Sequence, residues 1–225
     1  ENFAKRTGYA ILERYGMTEA GMITSARIDK PRRAGTVGWP LPGVTLRIVT
    51  EDGRDAGAGE TGEIRIKGPN VFRGYWRKPE KTAEDFAEGF FKTGDLARFE
   101  PDGMVSIVGR AKDMMISGGF NVYPKEIETI IDGLEGVDES AVVGLPHPDF
   151  GEAGLAVVSM KTGHTLTADA VTAALKAALA NYKIPKLIVF RDSLPRNAMG
   201  KVQKKDLRQM YAEAWRAHIG AAPKA

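Results

Sequence analysis

The stretch from Gly94 to Pro124 constrains this chain more than any other. It contains Gly94-Asp95, Gly109-Arg110-Ala111-Lys112-Asp113 and Ile116-Ser117-Gly118-Gly119-Phe120, and Pro124 follows. The order predicts an acidic tight turn, a short strand, a basic pair and a glycine loop. Pro124 suits the first turn of a new helix, where a missing N–H costs nothing. One folded body ends here, the chain pivots, and a second begins. Alone, Gly94-Asp95 would be an ordinary turn carboxylate. Arg110 lies one hairpin later, and a carboxylate beside a guanidinium can hold the two ends of a sugar diol. Gly118-Gly119 lets a ligand approach the backbone closely. The pattern points to a nucleotide-binding hinge.

The 225 residues can bury one large core or two modest ones. Thirty-two basic and 29 acidic side chains are mixed along the chain and leave a net charge of only +3. No basic arm marks a nucleic-acid binder. Cysteine is absent, which excludes a disulfide framework, a thiolate nucleophile and a zinc–thiolate site. That suits a reducing compartment, and the expected location is the cytoplasm. No apolar run is long enough to span a bilayer, so no membrane partner is expected. The sequence opens at Glu1 in what resembles mid-element, so a piece of a longer chain is expected.

Along the chain, residues 9–15 predict a short apolar strand and Gly16-Met17-Thr18-Glu19 a turn. A hydroxyl beside a carboxylate suits a phosphate and its Mg²⁺, although by spacing alone Thr18-Glu19 is a helix start. Val44, Leu46 and Ile48, then Ile64 and Ile66, alternate with polar or outward positions as strands do. Asp52-Gly53 between them is a hairpin signal. Gly57-Ala58-Gly59-Glu60-Thr61-Gly62 matches a dinucleotide fingerprint in form only, because it runs into a strand rather than opening a helix. Residues 79–86 predict a short helix, and Asp102-Gly103 a second hairpin. Beyond Pro124, Ile127, Ile130, Ile131 and Leu134 share one helical face. Residues 140–145, 155–160 and 187–190 predict strands, with a helix between the last two capped by Thr167 and reaching Lys183. His147, among prolines, predicts a surface loop. Lys201 follows Gly200 without the remaining residues of a phosphate loop. Composition alone makes it part of an exposed basic stretch with Lys204 and Lys205, both expected as solvated helix charges.

Taken in order, Tyr15-Gly16-Met17-Thr18-Glu19, Thr93-Gly94-Asp95, Gly109-Arg110-Ala111-Lys112-Asp113, Ser117-Gly118-Gly119-Phe120-Asn121-Val122-Tyr123-Pro124 and Pro195-Arg196-Asn197-Ala198-Met199-Gly200-Lys201 resemble five successive signatures. They are those of the adenylate-forming ligases, the superfamily of acyl-CoA synthetases, peptide-synthetase adenylation domains and luciferases. Residues 12–19, 119–128 and 195–205 are most similar to the malonyl-CoA synthetase branch.

The resemblance implies an α+β fragment. Residues 1–110 would end a large AMP-binding domain with a β-barrel-like subdomain, and 111–225 would form a complete small mobile lid, with the hinge near Lys112. It implies ATP-dependent formation of an acyl-adenylate and then a CoA thioester, with ATP/AMP, Mg²⁺ and coenzyme A as ligands and malonate as the expected acid. Tyr15 would pack on the adenine, with Gly16 in the same nucleotide-binding turn. Thr18 would contact phosphate and Glu19 would hold Mg²⁺. Asp95 would bind the ribose hydroxyls with help from Arg110. Ser117, Gly118, Gly119 and Phe120 would line the pantetheine tunnel. Lys201 would act in adenylation, where an acetyltransferase and a deacetylase could switch it. The family's phosphate loop and most of its acyl pocket would lie upstream, in the missing N-terminal part of the same protein. The alternatives are another short- or medium-chain acyl- or aryl-CoA synthetase or, for this fragment alone, a non-catalytic nucleotide- or partner-binding module. A peptide-synthetase domain fits less well, since no carrier segment follows.

Overall fold

A computed structural model describes residues 2–221. The chain divides into two compact units, Glu1–Ala111 and Lys112–Ala225. Both are mixtures of helix and sheet.

In the first unit the order is α1 (Asn2–Thr7), β1 (Arg14–Met17), β2 (Gly21–Ser25), β3 (Trp39–Pro40), β4 (Thr45–Val49), β5 (Gly62–Lys67), α2 (Pro79–Asp85), β6 (Phe86–Ala87), β7 (Phe90–Phe99) and β8 (Val105–Arg110). A three-stranded antiparallel sheet runs β1-β2-β3, and a five-stranded one runs β4-β5-β7-β6 with β8 on β7. Alternation along β5 sends Ile64 and Ile66 inward, where they meet Ile23, Ile48, Phe91, Ala97 and Val105 in one core. Both sheets therefore seal the same apolar interior, and burial of these side chains is the main stabilising term.

Several expectations need correction here. Residues 9–13 are not a strand; β1 begins at Arg14 and takes in Gly16 and Met17. Thr18-Glu19 opens no helix, because the chain turns straight into β2. Gly94-Asp95 is not a tight turn but the middle of the ten-residue β7. The Gly-Asp pair suggests a turn locally, yet β8 pairs Asp95 with Arg110 and β5 pairs with β7 on either side, so the pair is held as a bulge within the strand, with Gly94 at a φ of 69°. Asp52-Gly53 does turn the chain, with the Gly53 N–H donating to the Thr50 carbonyl at 3.0 Å. It leads back to a bridge between Asp55 and Val49, not directly into β5.

In the second unit come β9 (Met115–Ser117), β10 (Phe120–Val122), α3 (Pro124–Asp132), β11 (Val137–His147), β12 (Gly151–Met160), α4 (Ala168–Ala178), β13 (Leu187–Arg191), α5 (Lys204–Met210) and α6 (Ala212–Ala221). The sheet runs β10-β9-β12-β11, with β13 parallel to β12. Helices cover both of its faces. Val142, Ala156 and Val158 point toward Ile127, Ile131, Val171 and Leu175 on one side. Ala141, Val143, Leu145, Leu155 and Val157 point toward Leu207 and Trp215 on the other. That two-sided burial explains the apolar runs at residues 141–145 of β11 and 153–158 of β12. Thr167 caps α4 by accepting from the Ala170 N–H at 3.2 Å, but the helix stops at Ala178. Among the described residues no helix is long and apolar enough to cross a membrane.

Two polar expectations fail in this unit. His147 ends β11, and its side chain is only 11% exposed. It packs with Phe150 at 4.8 Å and Trp215 at 6.3 Å between ring centres. Lys204 is not a solvated helix charge either. Its ammonium lies 2.6 Å from the Glu128 carboxylate, with the two side chains 20% and 8% exposed. Neither was legible locally, since Trp215 and Glu128 are far away in sequence.

Candidate functional site

In the first unit the site is a three-residue cluster. Asp95 and Arg110 are cross-strand partners in the β7–β8 ladder. Directly opposed residues face the same side of a sheet, so opposite charges meet. The Arg110 Nε lies 2.9 Å from Asp95 Oδ1, an ion pair. Tyr15, from β1, donates its hydroxyl to Asp95 Oδ2 at 2.6 Å. Thr93 orders the same turn of strand: its hydroxyl donates to the Ile64 carbonyl and accepts from the Asp95 N–H at 3.1 Å. The Asp95 side chain is 7% exposed and that of Arg110 47%, so the carboxylate is sunk and the guanidinium forms its open rim. Burial, with the neighbouring carboxylate, pushes the Tyr15 phenol well above the ordinary tyrosine range. It stays a donor. A carboxylate accepts at about four lone-pair positions. Tyr15 takes one and the Arg110 guanidinium lies against the other oxygen, which leaves acceptor capacity for a diol.

Gly16 keeps Tyr15 in place. A Cβ there would meet the Gly21 carbonyl oxygen at 2.2 Å, so only glycine allows β1 and β2 this close.

A few residues on, Thr18 is exposed and Glu19 half-buried. The Tyr75 hydroxyl donates to Glu19 Oε1 at 3.1 Å, and burial together with that carboxylate pushes the Tyr75 phenol up to about 12. Tyr75 was missed from sequence. Its ring is held edge-on by Phe72 at 4.8 Å, a contact no local pattern announces. Among the described residues no three His, Cys, Asp or Glu side chains converge as a metal cage. One oriented carboxylate next to a hydroxyl still fits Mg²⁺, which commonly takes one or two carboxylates and fills its remaining positions with substrate phosphate and water.

Lys112, exposed, begins the second unit in a short 3-10 turn, Ala111–Asp113. The glycine loop is a two-residue hairpin between β9 and β10, with Ser117 opposite Phe120. Gly118 and Gly119 have φ of 59° and 83°, the pair of left-handed residues that such a turn demands. Ser117 is 2% exposed, so it supports the turn from beneath rather than lining open space. Gly118, Gly119 and Phe120 are exposed, and Phe120 stacks on Tyr182 at 4.6 Å between ring centres.

Lys201 sits on the loop between Leu194, which is buried, and α5. Its side chain is exposed and makes no ion pair with any described residue. A free ammonium on a short, tightly bonded loop can meet a developing anion.

A sunken carboxylate with spare acceptors, an oriented carboxylate next to a hydroxyl and a free lysine are the groups that nucleotide chemistry requires. Comparison with known proteins agrees: the chain belongs to the AMP-binding enzyme family. Residues 1–76 match the AMP-binding enzyme family and residues 126–201 the AMP-binding enzyme C-terminal domain. Feruloyl-CoA synthase of an Amycolatopsis species is 41% identical over 206 residues, which are 91% of this chain and 42% of that protein. Indoleacetate–CoA ligase of Aromatoleum aromaticum is 42% identical across 92% of this chain and 41% of its own. Among solved structures, ATP-bound MatB from Rhodopseudomonas palustris shares 52% identity and a TM-score of 0.89, covering 95% of this chain and 43% of that one. The chain thus spans about two fifths of the length of the relatives it matches.

Proposed function

We propose that the protein is an AMP-forming acid–CoA ligase and that its acid is malonate. The observation that carries the reaction type is the buried Asp95 carboxylate, gripped by Tyr15 and Arg110 with acceptor capacity to spare, on a chain of the AMP-binding family. The support for malonate is the 52% identity to MatB, a malonyl-CoA synthetase, against 41% to feruloyl-CoA synthase.

In this reading a carboxylate oxygen attacks the α-phosphorus of ATP, forming acyl-AMP and releasing pyrophosphate. The CoA thiol then adds at the acyl carbon and AMP departs with the bonding electrons. Asp95 accepts from the ribose hydroxyls while Arg110 closes the rim. The Tyr15 ring lies against the adenine and its hydroxyl keeps Asp95 oriented. Thr18 donates to phosphate, and Glu19, steadied by Tyr75, would hold Mg²⁺, which would neutralise phosphate charge when bound. Lys201 meets the negative charge that accumulates on the phosphorus oxygens, the type of electrostatic help that dominates phosphoryl chemistry. Gly118, Gly119 and Phe120 border the thin pantetheine arm.

Acid-dependent ATP–pyrophosphate exchange by the full-length protein tests this. Exchange driven by malonate is expected. Exchange driven by ferulate, indoleacetate or a long-chain fatty acid and not by malonate would replace it with the second reading, an aryl- or acyl-CoA ligase, which the feruloyl and indoleacetate relatives favour. Nucleotide binding without exchange under any acid would leave a binding module.

A further inference from the structure

The Gly200–Lys201 peptide is held at both ends. Its carbonyl, on Gly200, accepts from Arg196 Nη1. Its N–H, on Lys201, donates to Asn197 Oδ1 at 2.9 Å. A peptide is planar, so gripping the oxygen on one edge and the N–H on the other fixes the orientation of the plane. The next peptide is held as well, since the Lys201 carbonyl accepts from the Asn197 N–H at 3.0 Å; with both flanking planes held, the direction in which the Lys201 side chain leaves the backbone is fixed.

The loop is tightened further from within. Asn197 Oδ1 also accepts from the Met199 N–H at 3.0 Å, the Gly200 N–H donates to the Asn197 carbonyl at 2.9 Å, and Arg196 bridges Val202 across the loop. Those contacts shape the turn but do not say where it points. Arg196 does both. Its second terminal nitrogen, Nη2, donates to Glu139 Oε2 on β11, the long edge strand of this unit's sheet. One guanidinium therefore ties the peptide before Lys201 to the sheet, using the fork geometry that arginine has and lysine lacks.

We propose that Arg196, anchored by Glu139, is a positioning residue for Lys201, acting through the Gly200–Lys201 peptide; this rests on the ligase reading above. A free lysine must order four side-chain bonds when it meets its anion. Fixing its backbone leaves only those bonds to settle, and misplacing a catalytic group by about 1 Å can cost on the order of 10²-fold in rate. Glu139 and Arg196 touch no reacting atom in this scheme. They act only by where they hold the lysine.

The test is a mutant cycle in the full-length protein. Arg196→Ala is expected to slow acyl-AMP formation by roughly 10- to 100-fold in kcat. The KM for ATP should stay within about twofold, and thioester formation from supplied acyl-AMP should be unchanged. Arg196→Lys should restore thermal stability but not the rate, because an ammonium keeps the charge near Glu139 without the fork. In a Lys201→Ala background, Arg196→Ala should slow the reaction no further, since residues acting through one group are not additive. Hydrogen exchange at the Lys201 amide should quicken in Arg196→Ala. An additive loss in the double variant, or unchanged amide exchange, would overturn the clamp. Full adenylation by Lys201→Ala would overturn it too. If the wild-type protein forms no acyl-adenylate, the ligase reading falls separately, and amide exchange still judges the clamp.

Discussion

Lys204→Met should destabilise the second unit by about 3 kcal/mol, although lysine at a helix start usually matters little. The reason is the carboxylate left behind. Glu128 Oε1 accepts both the Lys204 ammonium at 2.6 Å and the Val142 N–H at 2.9 Å, and the glutamate side chain is 8% exposed. Removing one partner of a buried pair costs about 3–5 kcal/mol, mostly from stranding the other charge. Here the Val142 N–H remains, and Lys204 is itself 20% exposed, so the lower end applies. Glu128→Gln is gentler. The amide oxygen still accepts from Val142 and the freed ammonium can reach water, so about 1–2 kcal/mol is expected. Adding Glu128→Gln to Lys204→Met should recover part of the loss, giving a coupling of about 1 kcal/mol or more. Lys205→Met, at the neighbouring position, should stay within about 0.5 kcal/mol. Urea unfolding followed by fluorescence measures all four, with the buried Trp215 reporting this unit. Equal stabilities for the Lys204→Met and Lys205→Met proteins would show that Glu128 is well solvated and the argument false.

Lys112→Pro fixes φ at the start of the second unit, and full-length protein carrying it should keep acyl-AMP formation while losing thioester formation; both rates near wild type would remove Lys112 as a hinge. Acetyl-lysine installed at 201 lacks the charge and the donors of the ammonium. It should abolish adenylation, spare the second half-reaction and be reversed by a deacetylase, whereas acetyl-lysine at 205 should do nothing to either rate. Alkaline titration of tyrosine absorbance should show Tyr75 ionising near pH 12, a component missing in Tyr75→Phe. Tyr15, also raised, adds stability that is complete below about pH 10, the unfolded value, and is lost as pH climbs toward its folded one. Tyr15→Phe should therefore flatten the fall of stability above pH 10, and an unchanged slope would place that phenol in open solvent.

Motif order was legible in the sequence because each signature is local. Gly118-Gly119 marks a glycine loop, Pro124 starts a helix, and the alternation of Ile64 and Ile66 assigns a face without knowledge of a partner. Those are properties of the backbone and of period-two and period-3.6 patterns. The pairing of Asp95 with Arg110 was anticipated as proximity, but not as a strand register. Only the ladders flanking β7 turn an apparent Gly-Asp turn into a bulge inside a continuous strand. Tyr75 on Glu19, Lys204 on Glu128, His147 against Trp215 and Arg196 on Glu139 are separated in sequence by 56, 76, 68 and 57 positions respectively. Charge and side-chain type alone made Lys204 and His147 surface residues. What buried them is apolar packing that the chain reaches only when distant strands and helices close over the same sheet, and a polar group caught in that closure must find its partner there or forfeit its hydration.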